Sequence, residues 1–259
     1  MEIKVNGIYS NNFKNINFNL CENQITSFIG SNDRGKPGLL NLISGISKIE
    51  QGAIEYGDKK LDSKSIKNII YYLKEDYSEM LFNININEDI KFYLGNLNKE
   101  KLYELLKKFN LDIEILNKNY LELSGSEVRK ILLCIGLMSE KQIIILENAN
   151  LKLDTKSKQT LIKELKRLKR NNKIIIMTSY DTVFLLEVSD KILVVEKNKI
   201  IKEDNKFEIL SNKKLMKKIN LEVPKVLNFI NELKEIKNIK LGYRDNINDL
   251  IKDIYRYAK

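Results

Sequence analysis

Four short runs of β-branched and apolar residues, at 25–29, 143–146, 174–177 and 192–195, alternate with longer stretches of helical spacing, and this alternation most constrains the fold. Strands that alternate with helices predict a mainly parallel sheet with crossover helices. The last three runs are continuously apolar, as strands covered on both faces are. Residues 62–137 are rich in Asp, Glu, Lys and Asn, with helical spacing at 101–109 and 128–138, and read as a helical insertion into the α/β core. After Lys199 no further strand is expected. Helical periodicity returns at 208–218 and 225–236 around a turn signal at Pro224, so residues 206–259 read as a small C-terminal appendage. No repeat or low-complexity linker separates these parts, which predicts tight packing between them.

The chain contains no histidine and no tryptophan. Without imidazole, Ser-His-Asp hydrolases, Cys-His proteases, two-histidine zinc sites and histidine-ligated haem are excluded. Any proton transfer falls to carboxylate, Lys, Tyr, Cys or water. No apolar run reaches the ~20 residues of a membrane helix, and the start lacks the layout of a signal peptide, so a cytoplasmic location is expected. Cys21 and Cys134 read as two buried thiols without a disulfide or metal. The net charge of +10 is spread along the chain as lysine. It reads as a solvated surface, and no nucleic-acid partner is expected.

The segment Gly30-Ser31-Asn32-Asp33-Arg34-Gly35-Lys36-Pro37-Gly38 follows the first run and precedes an apolar helix start. Gly30, Gly35 and Lys36 fall at the spacing G-x-x-x-x-G-K of a phosphate-binding loop, in which backbone N–H groups and the lysine hold phosphates. A Gly-rich helix entry without a ligand is the alternative. Pro37 stands where Ser or Thr supplies a hydroxyl for Mg²⁺, and it also lacks an N–H. If Asp33 pointed at a phosphate about 4 Å away, the repulsion would be about 4 kcal/mol at an effective dielectric of 20.

Downstream, Leu123-Ser124-Gly125-Ser126-Glu127 opens a helical run. Ser124 and Glu127 fit a capping box. The run at 143–146 leads into Glu147-Asn148-Ala149-Asn150 and then Leu153-Asp154. These motifs, with an ungapped spacing from Ser124 to Glu147, resemble the signature, Walker B segment and following L-D of ATP-binding cassette (ABC) ATPases. Asn87-Glu88-Asp89-Ile90-Lys91-Phe92 with Gly95-Asn96-Leu97, and Leu221-Glu222-Val223-Pro224, are similar to stretches of the ATPases of energy-coupling-factor importers. The resemblance implies an α/β, ABC-type P-loop core with a mainly parallel sheet, an N-terminal antiparallel β part, a helical signature subdomain at about 76–137 within an ATPase domain at 1–205, and a helical extension at 206–259. It also implies that Tyr9 stacks on adenine, that Gly45, Gly52 and Gly57 follow the loop as in the family, and that ATP and Mg²⁺ are the ligands. Ser124 and its neighbours would then complete a site on a second subunit, since the family holds a phosphate at this helix N-terminus across a dimer interface. Asp154 lies in the dimer loop.

At the positions where that family does its chemistry, this chain differs. Lys74 stands at the glutamine that senses Mg²⁺ and the membrane partner, Glu147 at the Walker B aspartate, Asn148 at the catalytic glutamate and Tyr180 at the switch histidine. Asn148 holds a water without taking its proton, and Tyr180 lacks a proton acceptor near neutral pH. The expectation is an ABC subunit of an importer, very slow or inactive at its own site. It would supply its signature helix to a related intact ATPase on the inner face of the membrane. The implied membrane partners are a transmembrane coupling subunit docking near residues 74–82 and a substrate-binding subunit. A homodimeric active ATPase and a nucleotide-independent scaffold are the alternatives.

Overall fold

A computed structural model describes residues 1–10, 12–31, 35–95, 98–237, 242–245 and 247–257. The chain opens with β1 (Glu2–Ser10) and β2 (Phe13–Cys21), passes through β3 (Ile25–Ile29) and α1 (Gly35–Ile43), and returns in β4 (Gln51–Tyr56) and β5 (Lys59–Leu61). Strands β2, β1, β4 and β5, in that order, form an antiparallel sheet. Helix α2 (Ser63–Ile69), capped by the Asp62 carboxylate accepting from the Ser65 N–H, leads into β6 (Ile70–Leu73). Then come α3 (Ile86–Leu94), α4 (Lys99–Lys108) and α5 (Gly125–Met138). The chain continues with β7 (Ile143–Leu146), α6 (Thr155–Arg170), β8 (Ile174–Thr178), α7 (Thr182–Val188), β9 (Lys191–Glu196) and β10 (Lys199–Asn205). It closes with α8 (Lys206–Leu210), α9 (Lys213–Lys218), α10 (Lys225–Lys237) and α11 (Ile247–Tyr257).

The second sheet has the order β10-β9-β3-β8-β7-β6. It is parallel except for the β9–β10 edge pair. Alternate side chains of its central strands enter two different cores. Phe28, Ile143, Ile145, Ile174, Ile176, Leu193 and Val195 pack with α1 and the antiparallel sheet. Ile29, Ile144, Leu146, Ile175, Met177, Ile192 and Val194 pack on the other face against the later helices. A sheet covered on both sides accounts for the continuous apolar runs. Ile209, Leu210, Met216, Ile219, Leu227, Ile230 and Leu250 of the C-terminal helices are buried in that second core, so this segment is packed against the rest.

Two expectations about strands require correction. Strand β6 lies inside the stretch read as helical and pairs with β7 from Ile70↔Ile143 to Leu73↔Leu146. Strand β10 begins at Lys199, where strands were expected to end; its residues alternate exposed and half-buried as an edge strand does. Cys21, expected to be buried, is half-exposed, while Cys134 is fully buried. No helix among the described residues is long and apolar enough to cross a membrane.

Candidate functional site

The parallel strands end level with one another. Phe28 pairs with Thr178, Leu146 with Met177 and Leu73 with Leu146, so the loops after β3, β6, β7 and β8 emerge at one edge. In open α/β sheets, ligands bind at this edge.

The loop after β3 requires glycine at its start. A Cβ on Gly30 would lie 1.8 Å from the Val195 carbonyl oxygen of β9, closer than any side chain permits. Gly35 and Lys36 begin α1, with Pro37 inside its first turn, where proline is sterically acceptable. Gly38 lies against the Phe13 ring, 3.0 Å from where its Cβ would stand. The Lys36 side chain folds back on its own loop, donating to the Gly30 carbonyl at 3.0 Å and the Ser31 carbonyl at 2.5 Å. Its ammonium is 5.1 Å from the centroid of the Tyr180 ring. Lys36 and Tyr180, far apart in sequence, are thus brought together. Asn32, Asp33 and Arg34 lie outside the described residues. Tyr9 is 37% exposed on β1, and its carbonyl accepts from the Glu50 N–H.

At the end of β7, the Glu147 carboxylate accepts from the Tyr72 hydroxyl at 3.0 Å and the Glu75 N–H at 3.3 Å. Burial first, and then Glu147, push the Tyr72 hydroxyl well above its ordinary range, so it stays a donor. Asn148 has φ +45°, a left-handed conformation that Asn tolerates better than most residues, and its N–H donates to the Thr178 hydroxyl at 2.8 Å. The Lys74 ammonium pairs with Glu79 at 2.6 Å. For Mg²⁺ the fit is poor: Pro37 has no hydroxyl, and the Glu147 carboxylate is already engaged by groups at the end of β6.

The signature helix opens with a capping box. The Ser124 hydroxyl accepts from the Glu127 N–H, while Glu127 accepts from the Ser124 N–H and hydroxyl, both at 2.8 Å. These bonds hold the Glu127 carboxyl below its usual range. The capping box expected from the sequence is therefore present. Leu123 precedes the cap and is half-buried. Ser126, in place of glycine, donates to the Lys152 carbonyl at 2.8 Å. The Lys152 ammonium crowds Gly125, within 2.8 Å of where a Cβ would stand, and reaches the Tyr77 hydroxyl at 3.3 Å. The Asp154 carboxylate caps α6 through the Ser157 N–H and pairs with Lys130 of α5.

One residue the sequence reading missed joins these parts. Arg129 is fully buried, donating from Nη1 to the Lys74 carbonyl at 2.6 Å and from Nη2 to the Glu147 and Asn148 carbonyls at 2.5 and 3.0 Å. It pins the signature helix to the ends of β6 and β7. Its only sequence signal is a charge within an apolar helical stretch.

The family described as ABC transporter matches residues 13–150. An energy-coupling factor transporter ATP-binding protein EcfA2 of Mesoplasma florum is 30% identical over 261 residues, covering 95% of this chain and 81% of the relative. The corresponding EcfA3 protein of Oenococcus oeni is 28% identical over 236 residues, covering 86% and 82%. Among solved structures, cbiO1 from Clostridium perfringens, part of the ABC transporter complex cbiONQ, has a TM-score of 0.65 at 23% identity, covering 88% of this chain and 98% of that one. A bacterial Atm1-family ABC exporter with ATP bound has a TM-score of 0.71 at 15% identity, covering 84% of this chain and 41% of that one. Both structures share the α/β fold described above. The chain belongs to the ABC transporter family and, within it, to the energy-coupling factor transporter ATP-binding proteins.

Proposed function

We propose that this chain is the ATP-binding subunit of an energy-coupling-factor-type importer, weak or inactive in hydrolysis at its own loop, and that it completes the site of a related intact ATPase with the Ser124 helix. One contrast carries this reading. The signature helix is capped and braced by Ser124, Glu127, Ser126 and Lys152, whereas Pro37, Asn148 and Tyr180 each lack a group that the chemistry needs.

In the cis site, Lys36 and the N–H groups opening α1 would hold nucleotide phosphates. Asn148 orients a water but accepts no proton. General base catalysis contributes about 10²–10⁴ in rate, so about 3–5 kcal/mol of barrier lowering is missing. The residues present do not fit Mg²⁺, since Pro37 has no hydroxyl and Glu147 is engaged by Tyr72 and Glu75. In trans, the Ser124 hydroxyl and the first N–H groups of α5 would bind the partner's nucleotide, the hydroxyl giving up its bond to the Glu127 carboxylate. The segment 74–82 is the docking side for a transmembrane coupling subunit, which would place the chain peripherally on the inner face of the membrane, alongside a substrate-binding membrane subunit.

The test pairs the chain with an intact cassette subunit that has Ser or Thr after its loop lysine and Glu at the base position. Ser124→Arg in this chain should reduce the ATPase rate of the pair at least tenfold. Equal rates before and after the substitution would refute the trans role.

A further inference from the structure

The Lys36 ammonium is enclosed from several directions. It donates to the Gly30 and Ser31 carbonyls, and the face of the Tyr180 ring lies 5.1 Å away. Lys36 is 3% exposed while Tyr180 is 40% exposed, so the cation is covered and the ring beside it is partly open to solvent. An ammonium offers three donors, and a ring face attracts it electrostatically. Of these three groups the two carbonyls belong to the loop itself, and the half-exposed ring is the one that side-chain rotation can carry off the ammonium to admit a phosphate oxygen.

The backbone around Tyr180 is fixed on both sides. The Ser179 hydroxyl bonds Asn150 at 2.6 Å and accepts from the Asp181 N–H at 3.0 Å. The Asp181 carboxylate accepts from Lys158 at 2.8 Å, from Asn150 at 3.1 Å and from the Phe184 N–H at 3.0 Å. Movement of the ring is therefore a rotation about side-chain bonds on a held frame.

From this geometry we infer that Tyr180 is an autoinhibitory latch, which covers Lys36 in the free protein and must swing away before a nucleotide phosphate binds. The inference rests on the reading of this loop as a nucleotide site. A latch lowers apparent affinity by the fraction of molecules in which it is open. The strength of a cation–π contact corresponds to about three- to thirty-fold in affinity.

The experiment measures equilibrium ATP binding to the full chain, to Tyr180→Ala and to Tyr180→Phe, together with the NMR shift of the Lys36 ε-methylene protons. In the free wild type these protons should be shifted upfield by the ring, and the shift should vanish in Tyr180→Ala and on saturation with ATP. Tyr180→Ala should bind ATP about three- to thirty-fold more tightly. Tyr180→Phe keeps the ring face and should bind like the wild type, which separates the latch from any role of the hydroxyl. Equal or weaker binding by Tyr180→Ala overturns the latch and leaves the nucleotide site standing. A free protein without the upfield shift overturns it as well. Absence of ATP binding by all three proteins overturns both the nucleotide site and the latch built on it.

Discussion

The Lys130 ammonium donates to the Asp154 carboxylate at 2.8 Å, tying the helix opened by Ser124 to the residue that caps α6. The Lys130 side chain is only 8% exposed, so this carboxylate is its counter-charge in a largely desolvated position. The bond to Lys130 first, and then the Ser157 N–H, hold the Asp154 carboxyl well below the usual carboxylate range.

Asp154→Ala should therefore destabilise the fold by about 2 kcal/mol, about half from the lost cap and the rest from the unmatched lysine. A carboxylate depressed in the fold adds stability above its unfolded pKa of about 3.9 and loses it as pH falls toward the folded value. Urea unfolding of the two proteins should show the full difference above about pH 5 and a shrinking one below about pH 4. A difference independent of pH would mean that the charge on the Asp154 carboxylate contributes nothing to stability.

Arg129 binds three carbonyls just beyond the ends of two separate strands, β6 and β7. Arg129→Met would leave the Lys74, Glu147 and Asn148 carbonyls without this donor, at a cost of about 3–5 kcal/mol. Arg129→Lys lacks the planar fork and should recover only part of that. Differential scanning calorimetry gives the ranking directly. A methionine variant as stable as the wild type would show that the clamp does not hold the strand ends.

How much of this was legible in the sequence depends on where each element finds its partners. Strands β3, β7, β8 and β9 could be read because burial on both faces makes them continuously apolar. Strand β6 was hidden because it has only four residues, at the sheet edge, and follows α2 with no turn to mark its start. Strand β10, Lys-Ile-Ile-Lys-Glu-Asp-Asn, lies at the sheet edge and resembles a loop in composition. The cap at Ser124 was legible because both of its partners lie within four residues. Arg129 was not, because its partners lie 18, 19 and 55 residues away. The contact between Lys36 and Tyr180 escaped for the same reason.

Gly136, in the last turn of α5, tests how tightly that helix lies on β6. A Cβ there would fall 2.4 Å from the Tyr71 ring, which is itself held by a 2.6 Å hydrogen bond to the Leu132 carbonyl. Alanine gains about 1 kcal/mol in helix propensity, but overpacking costs about 1–3 kcal/mol. The packing term should win, so Gly136→Ala should lower the stability. Pairing it with Tyr71→Leu should be clearly less than additive. Strict additivity in the double-mutant cycle would show that the ring yields without cost.

Restoration of the loop separates a site that is weakened from one that is lost. Pro37 removes both a hydroxyl and an N–H, and Asp33 brings a negative charge into a loop that would otherwise attract phosphate. Asp33→Gly with Pro37→Ser should therefore tighten Mg-ATP binding at least tenfold, measured by calorimetry on the full chain. This double variant should still hydrolyse ATP very slowly, because Asn148 accepts no proton. Adding Asn148→Glu should raise turnover, measured with a signature-bearing partner present, by about 10²–10⁴. The left-handed backbone at position 148 favours Asn over Glu, so this last change should also reduce stability by about 1 kcal/mol. If the double variant binds no better than the wild type, then Asp33 and Pro37 are not what weakens the loop. The cause would then lie in the contacts that hold Lys36 against its own carbonyls and Tyr180.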